Sequence, residues 1–151
     1  GFCLGGGIGL VGNADIVVAS TDATFGLPEV DRGALGAATH LARLVPQHLM
    51  RRMVYTAAPI SAADLSPYGA LAAVVERDQL HETALAIATQ IATKSPTILR
   101  RAKESLNGID PVTPKRSYRF EQGFTYELHV RGVATEQRAA FIEKRAADTS
   151  T

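Results

Sequence analysis

Near its start the chain carries Gly5-Gly6-Gly7, followed at once by Ile8-Gly9-Leu10-Val11-Gly12. Three adjacent residues without Cβ atoms make a turn whose backbone amides can come close to a ligand. Amides that open a helix are also unpaired donors with partial positive charge, so the turn is suited to hold a developing oxyanion. Further along, Phe25-Gly26-Leu27-Pro28-Glu29-Val30-Asp31-Arg32-Gly33 sets acids among apolar neighbours. Desolvation by Phe25, Leu27 and Val30 would raise the pKa of Glu29 toward neutrality and fit it for general acid or base work. The spacing alone equally allows Glu29 to be a surface-loop acid, and the glycines to serve only close helix packing.

The pattern from Gly6 to about Asn13 permits a short helix, and Ile16-Val17-Val18-Ala19 is a β-branched run typical of a buried strand. Whatever strand leads into the glycine turn is missing or very short. Thr24-Phe25-Gly26 reads as a second strand, and Pro28 pushes Leu27 toward an extended conformation. Helices are expected from Ala37 to Val45 and from Pro46 to about Thr56, with Ser61 and Asp64 forming a capping-box start for a short one. A strand over Leu71 to Val75 follows. Leu80, Ala84, Ile87, Ala88 and Ile91 form one apolar stripe on a helix from about Asp78 to Thr93. Ser95-Pro96 and Thr113-Pro114 each set a capping hydroxyl before a first-turn proline, Gly108 and Gly132 read as stops, and Thr135 as the cap of a last helix. The tail from Asp148 to Thr151 is expected to fray. The chain therefore divides near Asn107-Gly108 into an α/β part, residues 1–107, and a helical part, residues 108–151.

Composition narrows the function classes. With 16 Lys and Arg against 15 Asp and Glu, the net charge of +1 gives no general electrostatic case for nucleic acid or an anionic membrane. No apolar run approaches the roughly 20 residues of a membrane helix. A single cysteine, Cys3, fits a reducing cytoplasm and reads as a small packing residue near the turn. His40 and His48 lack metal-ligand spacing, so both read as structural or exposed, and no metal is expected. Tyr118, Phe120, Phe124 and Leu128 are expected in a helix–helix or subunit contact. Gly7-Ile8-Gly9-Leu10-Val11-Gly12 matches the dinucleotide fingerprint G-x-G-x-x-G, but too few residues precede it and the next strand follows too soon for a dinucleotide fold. A P-loop is excluded because no Lys-Ser or Lys-Thr follows the glycines.

The order Phe2-Cys3-Leu4-Gly5-Gly6-Gly7, Asn13-Ala14-Asp15-Ile16-Val17-Val18-Ala19, Ala23-Thr24-Phe25-Gly26-Leu27-Pro28-Glu29-Val30 resembles the crotonase superfamily of enoyl-CoA hydratases and isomerases. Gly33 to Leu44, Ile60 to Asp64, Tyr68 to Leu71, Lys103-Glu104-Ser105 and Phe141 to Arg145 extend the likeness over nearly the whole chain. The resemblance implies the second half of a crotonase-like spiral core and a C-terminal helical region for trimer assembly. With Gly1 in place of a methionine, the chain reads as a fragment whose other half would supply a further oxyanion donor and much of the CoA pocket. The expected partners are an acyl-CoA substrate and copies of the chain, as a homotrimer or dimer of trimers. No cofactor is expected, since coenzyme A belongs to the substrate.

Residue by residue, the resemblance assigns the oxyanion donor to the backbone N–H of Gly6 and the acid to Glu29, with Gly5, Leu27, Pro28 and Arg32 beside them. Asp31 either pairs with Arg32 or replaces a lost carboxylate. The family's hydratases carry a second glutamate where this chain has Gly9, so simple hydration by a carboxylate pair is disfavoured. Lys144 and Arg145 stand where relatives place a basic residue near the CoA phosphates, or else form a solvated helix end. The segment Pro28 to His40 with Leu44 to Met50, and Gln122-Gly123-Phe124-Thr125-Tyr126-Glu127-Leu128, resemble an actinobacterial subgroup that opens a carbocyclic ring of a steroid-derived CoA thioester. Small residues at Gly9, Ala34, Ala37 and Ala38 would leave room for a bulky substrate. Hydrolytic ring cleavage in steroid (cholesterol) catabolism is the expected reaction. Enoyl-CoA hydration or double-bond isomerisation is the alternative, and a catalytically incomplete fragment acting only in assembly is another.

Overall fold

The computed structural model describes residues 1–111 and 113–147. Strand β1 (Phe2–Leu4) leads into α1 (Gly6–Asn13), followed by β2 (Val18–Ser20) and β3 (Thr24–Gly26). A 3-10 turn at Pro28–Arg32 precedes α2 (Ala38–Leu41) and α3 (Gln47–Thr56). Next come β4 (Ile60–Ser61), α4 (Ala62–Leu65), a 3-10 turn at Ser66–Tyr68 and β5 (Ala73–Val75). A 3-10 turn at Arg77–Gln79 opens α5 (Leu80–Ala92), and α6 (Pro96–Ile109), α7 (Pro114–Val130) and α8 (Val133–Glu143) follow.

The expected α/β class holds. β1 and β3 pair in parallel, with Leu4 opposite Gly26, and β4 joins β3 antiparallel. β2 and β5 make a separate parallel pair. Ile8, Phe25, Leu27, Leu41, Met53, Ile60 and Leu65 form the core where α1, α2, α3 and α4 cover these strands. Gly12 is the contact point of α1 with α2: a Cβ there would collide with the backbone carbonyl of His40. Glycine is needed for that close approach.

Several boundaries differ from expectation for local reasons. The helix expected over Ala37 to Val45 is regular only over Ala38–Leu41, because Pro46 follows. Its end tightens into Arg43 N–H to His40 O and Leu44 N–H to Leu41 O bonds. The strand expected over Ile16 to Ala19 lies at Val18–Ser20, with Ile16 left 45% exposed. Ser61 caps α4 as expected, accepting the Asp64 amide at 3.1 Å. Ser95 and Thr113 occupy N-cap positions, but their carbonyls rather than their hydroxyls satisfy the first turns. Thr135 is not a cap. Gly132, with φ 80°, both follows α7 and starts α8, and its carbonyl accepts the amides of Thr135 and Glu136. α6 continues through Asn107 and Gly108 to Ile109. The fraying expected of Asp148 to Thr151 lies outside the described residues.

The stripe on α5 lies along one face as expected, lining a groove with Ile16 and Val18. Nothing on α5, α6 or α7 is fully buried. α8 is held more deeply through Ala134 and Ala140. Among the described residues no helix is long and apolar enough to cross a membrane.

Candidate active site

Two parallel strands ending side by side assemble the site from segments far apart in sequence. The β1–β3 ladder extends into the turn, where Gly5 N–H donates to Gly26 O at 3.1 Å. Gly5 then reverses the chain with φ 53° and ψ −114°, and α1 begins at Gly6. The first-turn amides of α1 have no carbonyl partner within the helix. Gly6 is exposed, and an added Cβ there would meet no atom within 4 Å.

On the neighbouring strand, Pro28 holds Leu27 extended at φ −125° and ψ 88° and starts the tight turn that carries Glu29. Gly33 closes that turn at φ 65°, and Ala34 N–H donates to Glu29 O at 3.1 Å. The carboxylate folds back against the glycine turn: a Cβ added at Gly5 would stand 2.5 Å from Glu29 Oε1. Glu29 Oε2 is buried and has no hydrogen-bond partner among the described residues. Burial pushes the Glu29 carboxyl above the usual range, its own backbone N–H opposes this, the Glu121 carboxylate raises it further, and Arg32 lowers it.

Glu29 faces a cavity of about 610 Å³. Leu27, Leu35, Met50 and Val54 form apolar walls, and Phe120 and Phe124 on α7 cover it. The two phenyl rings meet edge to face at 5.1 Å. Tyr118 makes a helix contact of the kind expected of Tyr118, Phe120, Phe124 and Leu128, edge-on to buried His40 at 5.2 Å. His48 is exposed on α3, and Cys3 packs half-buried at the core margin with its thiol pushed up by burial. Of the small residues expected to leave room, Ala38 lines the cavity, together with Gly36 and Ala42. Ala37 is instead a core residue.

The remaining expected site residues divide. Leu27 is buried on the cavity wall, and Pro28 sets the geometry of the turn. Asp31 and Arg32 point elsewhere: both are exposed and line a separate pocket beside α8, with the Arg32 guanidinium 4.3 Å above the Phe141 ring. The second carboxylate in the cavity is therefore Glu121 rather than Asp31. Lys144 is an exposed residue at φ 53° ending α8, and Arg145 is engaged by Glu136 and Glu143. Glu121 was not singled out in the sequence. Its signal is a charged residue on the same helical face as Tyr118 and Phe124, where a wholly apolar stripe would be ordinary.

The sequence model of the enoyl-CoA hydratase/isomerase family matches residues 1–150. The chain belongs to that family. Two relatives are each named (7aS)-7a-methyl-1,5-dioxo-2,3,5,6,7,7a-hexahydro-1H-indene-carboxyl-CoA hydrolase. The one from Mycobacterium tuberculosis is 63% identical over 95% of this chain and 58% of its own length. The one from Rhodococcus jostii is 62% identical over 95% of this chain and 55% of its own. The chain thus spans a little over half the length of these relatives. A solved structure of a carnitinyl-CoA dehydratase from Mycobacterium avium superposes with a TM-score of 0.89 at 32% identity, covering 100% of this chain and 61% of that one. For an enoyl-CoA hydratase/isomerase chain the open space at Gly9 is informative. An added Cβ would meet nothing within 4 Å, so a side chain would fit there, and none is present.

Proposed function

We propose that the protein hydrolyses a ring carbon–carbon bond in a bulky alicyclic β-keto acyl-CoA of steroid breakdown. Water adds to the ring ketone, and the bond between that carbon and the α-carbon of the thioester breaks. The electron pair passes through the α-carbon onto the thioester oxygen as an enolate, and a proton returned to the α-carbon completes the opened carboxylic acid. The Gly6 N–H holds the enolate oxygen. Glu29 takes the proton from water and delivers it to the α-carbon.

The observation that carries this reading is the Glu29 carboxylate against the Gly5 turn, with one unpartnered buried oxygen, on the wall of an apolar cavity. The cavity volume lies in the range of about 300–1,000 Å³ common for small-molecule sites. The names of the two hydrolases above support the same reaction class, and Gly9 weighs against hydration by a carboxylate pair. Gly5, Leu27 and Pro28 belong to the proposed substrate site. Asp31 and Arg32 line a separate pocket beside α8 and have no part in the proton transfer, and exposed Lys144 belongs to the proposed CoA contact. A homotrimer or dimer of trimers in the cytoplasm completes the reading.

Turnover of a ring β-keto acyl-CoA by the intact enzyme in heavy-oxygen water tests it. One heavy oxygen is expected in the new carboxylate. Rapid hydration of crotonyl-CoA or isomerisation of a 3-enoyl-CoA, without ring opening, would overturn the proposal.

A further inference from the structure

Glu121 differs from every other polar residue on the cavity wall because each of its carboxylate oxygens is already fixed. Oε1 accepts the Ala38 N–H at 2.9 Å, and Oε2 accepts the Thr39 N–H at 3.3 Å. Those amides open α2, whose N-cap residue Ala37, at φ 60°, has no side chain able to cap it. One turn along α7, Thr125 Oγ1 accepts the Leu35 N–H at 3.2 Å and donates to the Leu35 carbonyl at 2.8 Å. α7 is thereby buttoned to the loop before α2 at two successive turns, and Glu121 is held in place.

The two carboxylates on this cavity have unequal freedom. Glu121 receives an N–H donor on each oxygen. Glu29 keeps a buried oxygen with no partner among the described residues. A like charge beside a carboxylate raises its pKa, and a carboxylate held on both oxygens is not free to shuttle a proton. We infer that Glu121 is a positioning residue, a fixed negative charge that makes Glu29 the proton-carrying member of the pair. This rests on the reading of Glu29 as the acid–base group of the proposed hydrolysis.

The groups around Glu29 are few enough for a clean test. Its own turn carries Asp31 and Arg32, and α7 brings Arg116 and Glu121 to the cavity. α3 contributes Tyr55. Glu136 on α8 is paired with Arg145, and α1 has no ionisable side chain. The acid limb of kcat/KM in the intact enzyme reports the free-enzyme pKa of the shuttling group. In Glu121→Gln the limb is expected to move to lower pH. Glu121→Asp, charged but one methylene shorter, is expected to move it the same way by less, which keeps the inference testable should the glutamine variant not fold. Thr125→Val loosens α7 while keeping the charge, and its limb is expected to stay with the parent. Limbs unmoved in both Glu121 variants, whatever happens to turnover, would overturn the inference and leave Glu121 as a cap of α2. Unchanged turnover in Glu29→Gln would instead overturn the reading on which the inference rests.

Discussion

Single residues decide whether the turn and the acid can share one space. At Gly5 a methyl group meets both a positive φ and the Glu29 carboxylate, whereas at Gly9 it meets open space inside a helix. Gly9→Ala is therefore expected to leave the fold intact and to add about 0.5–1 kcal/mol of stability, the usual gain over glycine within a helix. Gly5→Ala is expected to destabilise the protein and displace Glu29; thermal melts and activity of the two variants check the contrast. Glu29 itself carries a cost. Its carboxyl is raised chiefly by burial, so the fold favours the protonated form. That favour is fully present below the ordinary glutamate range and is lost as pH rises through the folded value. Glu29→Gln should then be more stable than the parent at neutral pH, with the difference vanishing in acid. Urea unfolding at both pH values measures this, and a less stable variant at neutral pH would contradict it.

At the scale of elements, α7 is the piece whose attachment matters most for the cavity. It has no fully buried residue and is tied down by Glu121, Thr125 and the aromatic face that covers the site. Thr125→Val leaves the Leu35 N–H and carbonyl without their partner and is expected to cost about 1–2 kcal/mol. Faster hydrogen exchange at the Leu35 amide would show the loosening. Elements with a local signature were legible in the sequence: the glycine-opened α1, the Pro28 turn, the Ser61 cap and the α5 stripe. β1 and β4 were not, since strands of three and two residues leave no period to read. The place of Glu121 at the head of α2 escaped for a different reason. It depends on a carboxylate arriving from 83 residues away, and no local pattern records such a contact.

For the whole molecule, the C-terminal helices leave several large apolar side chains in water. Ile98, Leu106, Ile109, Tyr126 and Val130 are between 61% and 72% exposed. Sizing of the intact protein is expected to give a trimer or a dimer of trimers, and a strictly monomeric protein would contradict that assembly. The proposed mechanism depends on one acid meeting one turn at the ends of β1 and β3. The most direct measurement is kcat/KM of Glu29→Gln on a ring β-keto acyl-CoA, alongside its binding of the same thioester. A fall of about 10²–10⁴-fold with binding retained is predicted, the usual contribution of a positioned acid–base group; turnover equal to that of the parent would contradict the mechanism.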